Sequence, residues 1–91
     1  MPNRHASAIK RNRQNEKRRQ RNRTVRARVK TDVRKVREAV ARKDSPAADT
    51  DLRVAIKEIS KAASKGVLHR NAAARRIGRL SKQVAALKSA S

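Results

Sequence analysis

The sequence of 91 residues contains no cysteine and no aromatic residue, and it has two glycines and two prolines. Without cysteine it forms no disulfide and offers no thiolate to a metal, which fits a reducing compartment such as the cytoplasm. Without Phe, Tyr or Trp it lacks the platforms on which unpaired bases stack, so this kind of single-strand recognition is not expected. No apolar run approaches the length of a membrane span. The length allows one small domain over residues 1–91.

Acidic residues are also scarce, because 27 lysines and arginines face only 7 acids and the net charge is +20. A folded chain of this charge density repels itself strongly unless a polyanion neutralises it. Residues 1–43 carry net +14, residues 44–64 net −1 and residues 65–91 net +7. We therefore expect a polyanionic partner to face the first and third parts of the chain, and the middle part to face water.

Apolar residues recur at steps of three and four along three segments, which predicts one buried face on each of three helices. These stripes are Val25, Val29, Val33, Val36 and Val40, then Ala48, Leu52, Ile56, Ile59 and Ala63, and finally Ala73, Ile77, Leu80, Val84 and Leu87. They predict an all-α fold, an antiparallel three-helix bundle with helices at 25–43, 46–65 and 70–88.

The two connections carry turn signals. Pro46 suits the first residue of the second helix, with Ser45 or Asp44 as its cap. Gly66 suits the left-handed position that ends this helix. Asn71 is one possible cap of the third helix, and His69 is expected to cap a helix end or to touch the ligand.

Residues 10–24 contain eight cations, one acid and no aliphatic side chain, yet they are mostly good helix formers without Gly or Pro. A first helix from about residue 5 to 43 is about 58 Å long, against about 30 Å for each apolar stripe. Residues 1–24 are therefore predicted to project beyond the bundle. Because like charges three and four residues apart repel, we expect this segment to be largely unfolded until a polyanion binds.

The chemistry of the projecting segment is phosphate binding, since arginine holds a phosphate through two hydrogen bonds. On a helix, one arc of about 160° holds Lys10, Arg11, Arg13, Lys17, Arg18 and Arg21, with Arg19 and Arg23 on the far side. Binding to a membrane surface would need an apolar face, which residues 10–24 lack. An organellar transit peptide shares the basic composition but is amphipathic, and this segment is not.

A second basic surface is predicted on the third helix. Arg75, Arg79 and Lys82 are expected on the side away from Leu80, and Arg76 beside the apolar stripe. The serines lack the neighbours that activate a nucleophile, and the two histidines have no partners at metal-ligand spacing. We therefore predict no enzyme, no cofactor, no metal and no small-molecule substrate.

Two blocks of the sequence have a distinctive pattern. One runs KGVLHRNAAARR from Lys65 to Arg76, followed by Arg79-Leu80. The other is basic: Ser7-Ala8, Lys10-Arg11, Glu16 to Arg19 and Arg21-Asn22, continued by Arg26, Lys30-Thr31 and Lys35-Val36. Together they resemble the bacterial family of the twentieth small-subunit ribosomal protein, and the resemblance covers nearly the whole chain apart from residues 41–59.

This resemblance implies a three-helix bundle with a protruding first helix, bound to 16S ribosomal RNA in the body of the small subunit. It also implies a non-catalytic protein of early assembly, located in the cytoplasmic ribosome beside other small-subunit components. The residues expected to contact RNA are Lys10, Arg11, Arg13, Lys17, Arg18, Arg19, Arg21, Arg23, Arg26, Lys30, His69, Arg70, Asn71, Arg75, Arg76 and Arg79.

The chain departs from the family pattern at Ile77-Gly78, where members usually have a basic residue and then serine. This leaves open whether Ile77 packs in the core or faces RNA. A nucleoid protein that compacts duplex DNA, or a regulatory binder of an acidic protein, would share the charge and the helices. The chain lacks a continuous heptad seam beyond one bundle, so no homo-oligomer is expected.

Overall fold

The computed structural model describes residues 2–90, with side chains from residue 9 onward. It consists of three helices, α1 (Pro2–Ala41), α2 (Ser45–Ser64) and α3 (Arg70–Ala90). Both turns are short, so each helix runs antiparallel to the one before it. The predicted all-α three-helix bundle with a long first helix is confirmed. None of the described helices is both long and apolar enough to cross a membrane.

The turn after α1 reverses the chain through Lys43, whose φ of 59° is left-handed. The amides of Lys43 and Asp44 donate to the carbonyls of Val40 and Ala39, which closes the helix end. The Asp44 carboxylate then accepts a hydrogen bond from the Ala47 amide at 3.2 Å and caps α2. Asp44, rather than Ser45, is therefore the cap.

The turn after α2 has the predicted glycine, since Gly66 has a φ of +77°. The Val67 amide donates to the Ala62 carbonyl at 2.9 Å, and the Val67 side chain is buried. His69 caps α3, because its Nδ1 accepts a hydrogen bond from the Asn71 amide at 3.1 Å. Asn71 lies inside the helix, so its predicted role as a cap was wrong.

The core is built from all three stripes, but alanine fills much of it. Its buried members are Val29, Val36, Ala39, Ala48, Ala55, Ile59, Ala62, Val67, Ala73, Leu80 and Val84. Ile77 is partly buried against this core, which resolves its open position in favour of packing. The helix continues through Gly78, and a Cβ built there would meet no neighbouring atom within 4 Å.

Helix α2 packs against both other helices, whereas α1 and α3 touch each other much less. An ion pair of 2.8 Å between Lys88 and Asp49 joins the end of α3 to the start of α2. A groove remains open between α1 and α3 because their contact is slight.

The part of α1 from residue 9 to residue 21 lies beyond the bundle core. Residues 9–21 are all exposed, and the core begins only at Val25 and Val29. The molecule is 69 Å long but only 21 × 14 Å across. The structure places this uncovered segment in the same continuous helix as the bundle part of α1, where an unfolded segment was expected for the chain without RNA.

Candidate nucleic-acid interface

All sixteen residues that the sequence predicts to contact RNA have exposed side chains. Ten of them lie on α1 from Lys10 to Lys30, and the other six lie in the first half of α3 or just before it. The structure does not gather them into one patch. Most of them lie in two rows along α1, in a groove between α1 and α3, or at the turn before α3, whereas Arg11, Arg18 and Arg75 lie outside these groups.

The first row follows one side of α1 at steps of three and four residues. It comprises Lys10, Arg13, Lys17 and Arg21, and Thr24 and Arg28 extend it toward α2. The second row lies about 150° away around the helix and comprises Arg19, Arg23, Arg26, Lys30, Arg34 and Arg37. Arg11 and Arg18 lie on the arc between the two rows that is continuous with the buried stripe. Each row is a line of cations on an exposed helix.

The second row leads into the groove between α1 and α3, which has a volume of about 300 Å³. The lining residues are Lys30, Val33, Arg37, Arg76, Arg79 and Leu80. Val33 and Leu80 are the apolar residues of this lining, and the other four lining residues are cations from α1 and α3. Like charges on both walls oppose close contact, which agrees with the slight packing of α1 on α3.

Arg79 differs from its predicted placement. The sequence pattern set it on the side of α3 away from Leu80, whereas in the structure both residues line the same groove. Arg37 is a groove residue that the sequence reasoning missed. Its spacing of seven from Lys30 continues the second row and could have indicated it. Arg75 does not line the groove, although its side chain is exposed.

A further concavity of about 500 Å³ lies on the second row where α1 leaves the bundle. Its lining consists of Asn15, Arg18, Arg19, Asn22, Arg23 and Arg26. The Oδ1 oxygen of Asn22 is buried there and accepts no hydrogen bond from any residue that the structure describes. The site therefore combines four arginines with one unused acceptor. Asn22 was seen in the sequence only as part of the family resemblance.

The turn before α3 adds a donor of another kind. Because Nδ1 of His69 accepts the Asn71 amide, the neutral ring carries its proton on Nε2, which can donate to a phosphate oxygen. Arg70 and Asn71 are exposed beside it. The expectation that His69 caps a helix end is confirmed, and its contact with RNA stays a prediction.

Carboxylates do little to neutralise these surfaces. Between residues 9 and 90, Arg28 is the one member of the two rows that forms an ion pair, with Glu58 at 3.9 Å. Across the same residues no group of three or more His, Cys, Asp or Glu is placed to hold a metal ion. What the geometry offers is an array of exposed guanidinium and ammonium groups, the chemistry of phosphate binding.

Comparison with known proteins agrees with this geometry. The family model described as ribosomal protein S20 matches residues 3–85. The chain belongs to this family. The small ribosomal subunit protein bS20 of Anaeromyxobacter sp. strain K is 59% identical over 80 residues, which cover 88% of each chain. The bS20 protein of Beutenbergia cavernae is 53% identical over 81 residues, 89% of this chain and 94% of that one.

A more distant relative, the bS20 protein of Syntrophobacter fumaroxidans, is 47% identical over 83 residues, 91% of this chain and 96% of its own. The predicted family is therefore confirmed, and with it a structural constituent of the small ribosomal subunit rather than an enzyme. The family match spans all sixteen predicted contact residues, both rows on α1 and the α1–α3 groove.

Proposed function

We propose that this protein binds directly to 16S ribosomal RNA in the body of the small subunit and supports its early assembly in the cytoplasm. It does so by neutralising and clamping RNA phosphates, alongside other components of the subunit. The observation that carries this proposal is the uncovered segment of α1, where residues 9–21 are all exposed and most are basic. This exposure leaves the segment available to a partner outside the chain.

The α1–α3 groove supports a clamp rather than a single line of contacts. Lys30 and Arg37 approach a bound backbone from one helix, and Arg76 and Arg79 approach it from the other. Cations on two walls can hold phosphates on both sides of a strand, with arginine forks adding direction to the contacts. The groove thereby adds two cations of α3 to the second row of cations on α1.

RNA is a better candidate than duplex DNA because the chain belongs to the ribosomal protein S20 family. The relatives that it matches are proteins of the small ribosomal subunit, a particle built on RNA.

A competition experiment tests the proposal. The protein is bound to small-subunit ribosomal RNA transcribed in vitro, with duplex DNA as competitor over a range of salt. We expect preferential binding to the RNA, with a log–log salt slope of about −6 if about eight phosphates are neutralised. A slope shallower than about −2, or an equal preference for duplex DNA, would contradict an extended phosphate clamp.

Charge reversal separates binding from folding. Arg13→Glu with Lys17→Glu should abolish RNA binding and leave thermal unfolding nearly unchanged, since both side chains project where there is no core. Arg53→Glu with Lys57→Glu is the matched control, because it changes the charge equally on the exposed face of α2. Leu80→Ala should instead destabilise the fold by about 2–5 kcal/mol. Equal loss of RNA affinity in both reversal variants would mean that net charge, and not the projecting helix, carries the binding.

A further inference from the structure

We propose that the groove between α1 and the C-terminal half of α2 is a second RNA contact, in which Arg21, Lys61 and Lys65 bind phosphates of one sugar–phosphate backbone. This inference rests on the proposed RNA-binding function and deepens it. It assigns a contact to α2, the helix whose net charge of −1 predicted that it would face water.

The charge of α2 is divided along its length. Asp44, Asp49 and Asp51 lie at the cap and in the first two turns, whereas Lys57, Lys61 and Lys65 lie at the other end. Because α2 runs antiparallel to α1, its basic end lies beside the part of α1 where the uncovered segment begins. The net charge of −1 for residues 44–64 is therefore the sum of an acidic start and a basic end of α2, and the basic end lies next to the most basic segment of the chain.

These side chains form a groove of about 300 Å³ lined by Arg21, Thr24, Val25, Arg28, Glu58, Lys61 and Lys65. The Thr24 hydroxyl donates to the Gln20 carbonyl at 3.0 Å within α1, so the cations supply the free donors. Glu58 is the single carboxylate among the lining residues, and it contacts Arg28 at 3.9 Å. Between residues 9 and 90 no ion pair engages Arg21, Lys61 or Lys65.

The groove continues the first row on α1. Lys10, Arg13, Lys17 and Arg21 lead along one side of the uncovered helix, and Lys61 and Lys65 carry the line onto α2. This side of α1 lies about 150° from the row that enters the α1–α3 groove, so the two grooves do not compete for one backbone. A strand of evenly spaced phosphates is the ligand that matches a line of cations of this length.

The test uses the full chain and small-subunit ribosomal RNA transcribed in vitro. Lys61→Gln with Lys65→Gln should weaken binding and reduce the salt slope by about 2, because each lost phosphate contact removes about 1. Arg53→Gln with Lys57→Gln is the matched control, since it removes the same charge from exposed positions of α2 outside the groove. The control should leave the slope nearly unchanged.

A second pair of variants tests the same groove by removing a negative charge, which should tighten binding instead of weakening it. Glu58→Gln removes the one carboxylate that would repel a bound phosphate, so it should tighten RNA binding. Asp51→Asn removes the same charge on α2 seven residues away and should change the affinity less. Thermal unfolding of all four variants is measured beside binding, and we expect each of them to remain folded.

The outcomes distinguish this inference from the function on which it rests. Equal salt slopes for the two double variants, or equal effects of Glu58→Gln and Asp51→Asn, would overturn the groove and leave the proposed function intact. A parent protein that does not prefer the ribosomal RNA over duplex DNA would overturn both.

Discussion

Asp32 is a buried carboxylate at the edge of the apolar stripe of α1. It lies between Val29 and Val36 on the face that packs in the core, and only 8% of its surface is exposed. Its Oδ2 oxygen is buried and accepts no hydrogen bond from any described residue. A buried polar atom without a partner costs about 1–3 kcal/mol relative to an apolar group of similar shape.

Leucine has the branching of aspartate without its polar atoms, so Asp32→Leu should stabilise the free protein by about 1–3 kcal/mol. In a domain of this size each kcal/mol raises the melting temperature by about 4–8 °C. Thermal unfolding followed by circular dichroism measures the shift. Asp32→Asn keeps the shape of the side chain and removes only the charge, so it should stabilise the protein relative to the parent, but by less than Asp32→Leu.

Glu38→Leu is the control for this experiment, because Glu38 is exposed on the same helix and also loses one negative charge. It should change stability by no more than about 0.5 kcal/mol. An unchanged or lower melting temperature for Asp32→Leu would refute the reasoning and mean that the carboxylate has a favourable role in the core. A gain of the same size in Glu38→Leu would assign the effect to net charge.

Three other outcomes follow from the helix ends and the uncovered segment. Lys43→Gly should stabilise the protein by about 1 kcal/mol because it relieves a left-handed backbone, whereas Lys43→Ala should not. Amide exchange of residues 10–20 should be faster than that of residues 29–40 in the free protein and slow down when RNA binds, since only packed helix is strongly protected. Asp49→Asn should destabilise the protein at neutral pH because it removes the ion pair with Lys88. The hydrogen bond from Lys88 lowers the pKa of Asp49 below its ordinary 3.8, so the difference in stability between parent and variant should shrink as pH falls below 3.8 and vanish below the lowered pKa.

The buried faces of the helices could be predicted from the sequence because they depend on local periodicity. Val29, Val36, Leu80 and Val84 are buried as their spacing indicates. Alanine was harder to place, since it is common on both faces of helices. Ala39, for example, is fully buried although it lies outside the valine stripe of α1.

The ends of the helices were harder to predict, because they depend on backbone conformations that residue preferences alone do not determine. Gly66 occupies the left-handed position for which glycine is favoured, but Lys43 occupies the equivalent position after α1. A lysine there carries no sequence signal, so the first helix was predicted to extend to residue 43 rather than end at Ala41. His69 in place of Asn71 as the cap of α3 is a similar case, because histidine is an uncommon cap.

The grooves were beyond the reach of the sequence for a different reason. A helical wheel shows which cations share a side of one helix, but it does not show which neighbouring helix lies beside them. That depends on the handedness of the bundle, and here α3 lies beside Lys30 and Arg37 while α2 lies beside Arg21 and Arg28. The pairing of Arg37 with Arg79 across one groove therefore required the structure.

The division of α1 into a narrow apolar stripe and a wide basic surface connects fold to function. A three-helix bundle needs about a third of each helix for its core, and the small alanine contacts keep that part narrow. The rest of α1 is then available on two sides, which is why one helix can supply both cationic rows. The same charges repel one another in the free protein, so RNA that binds the folded form both neutralises them and stabilises the bundle by mass action.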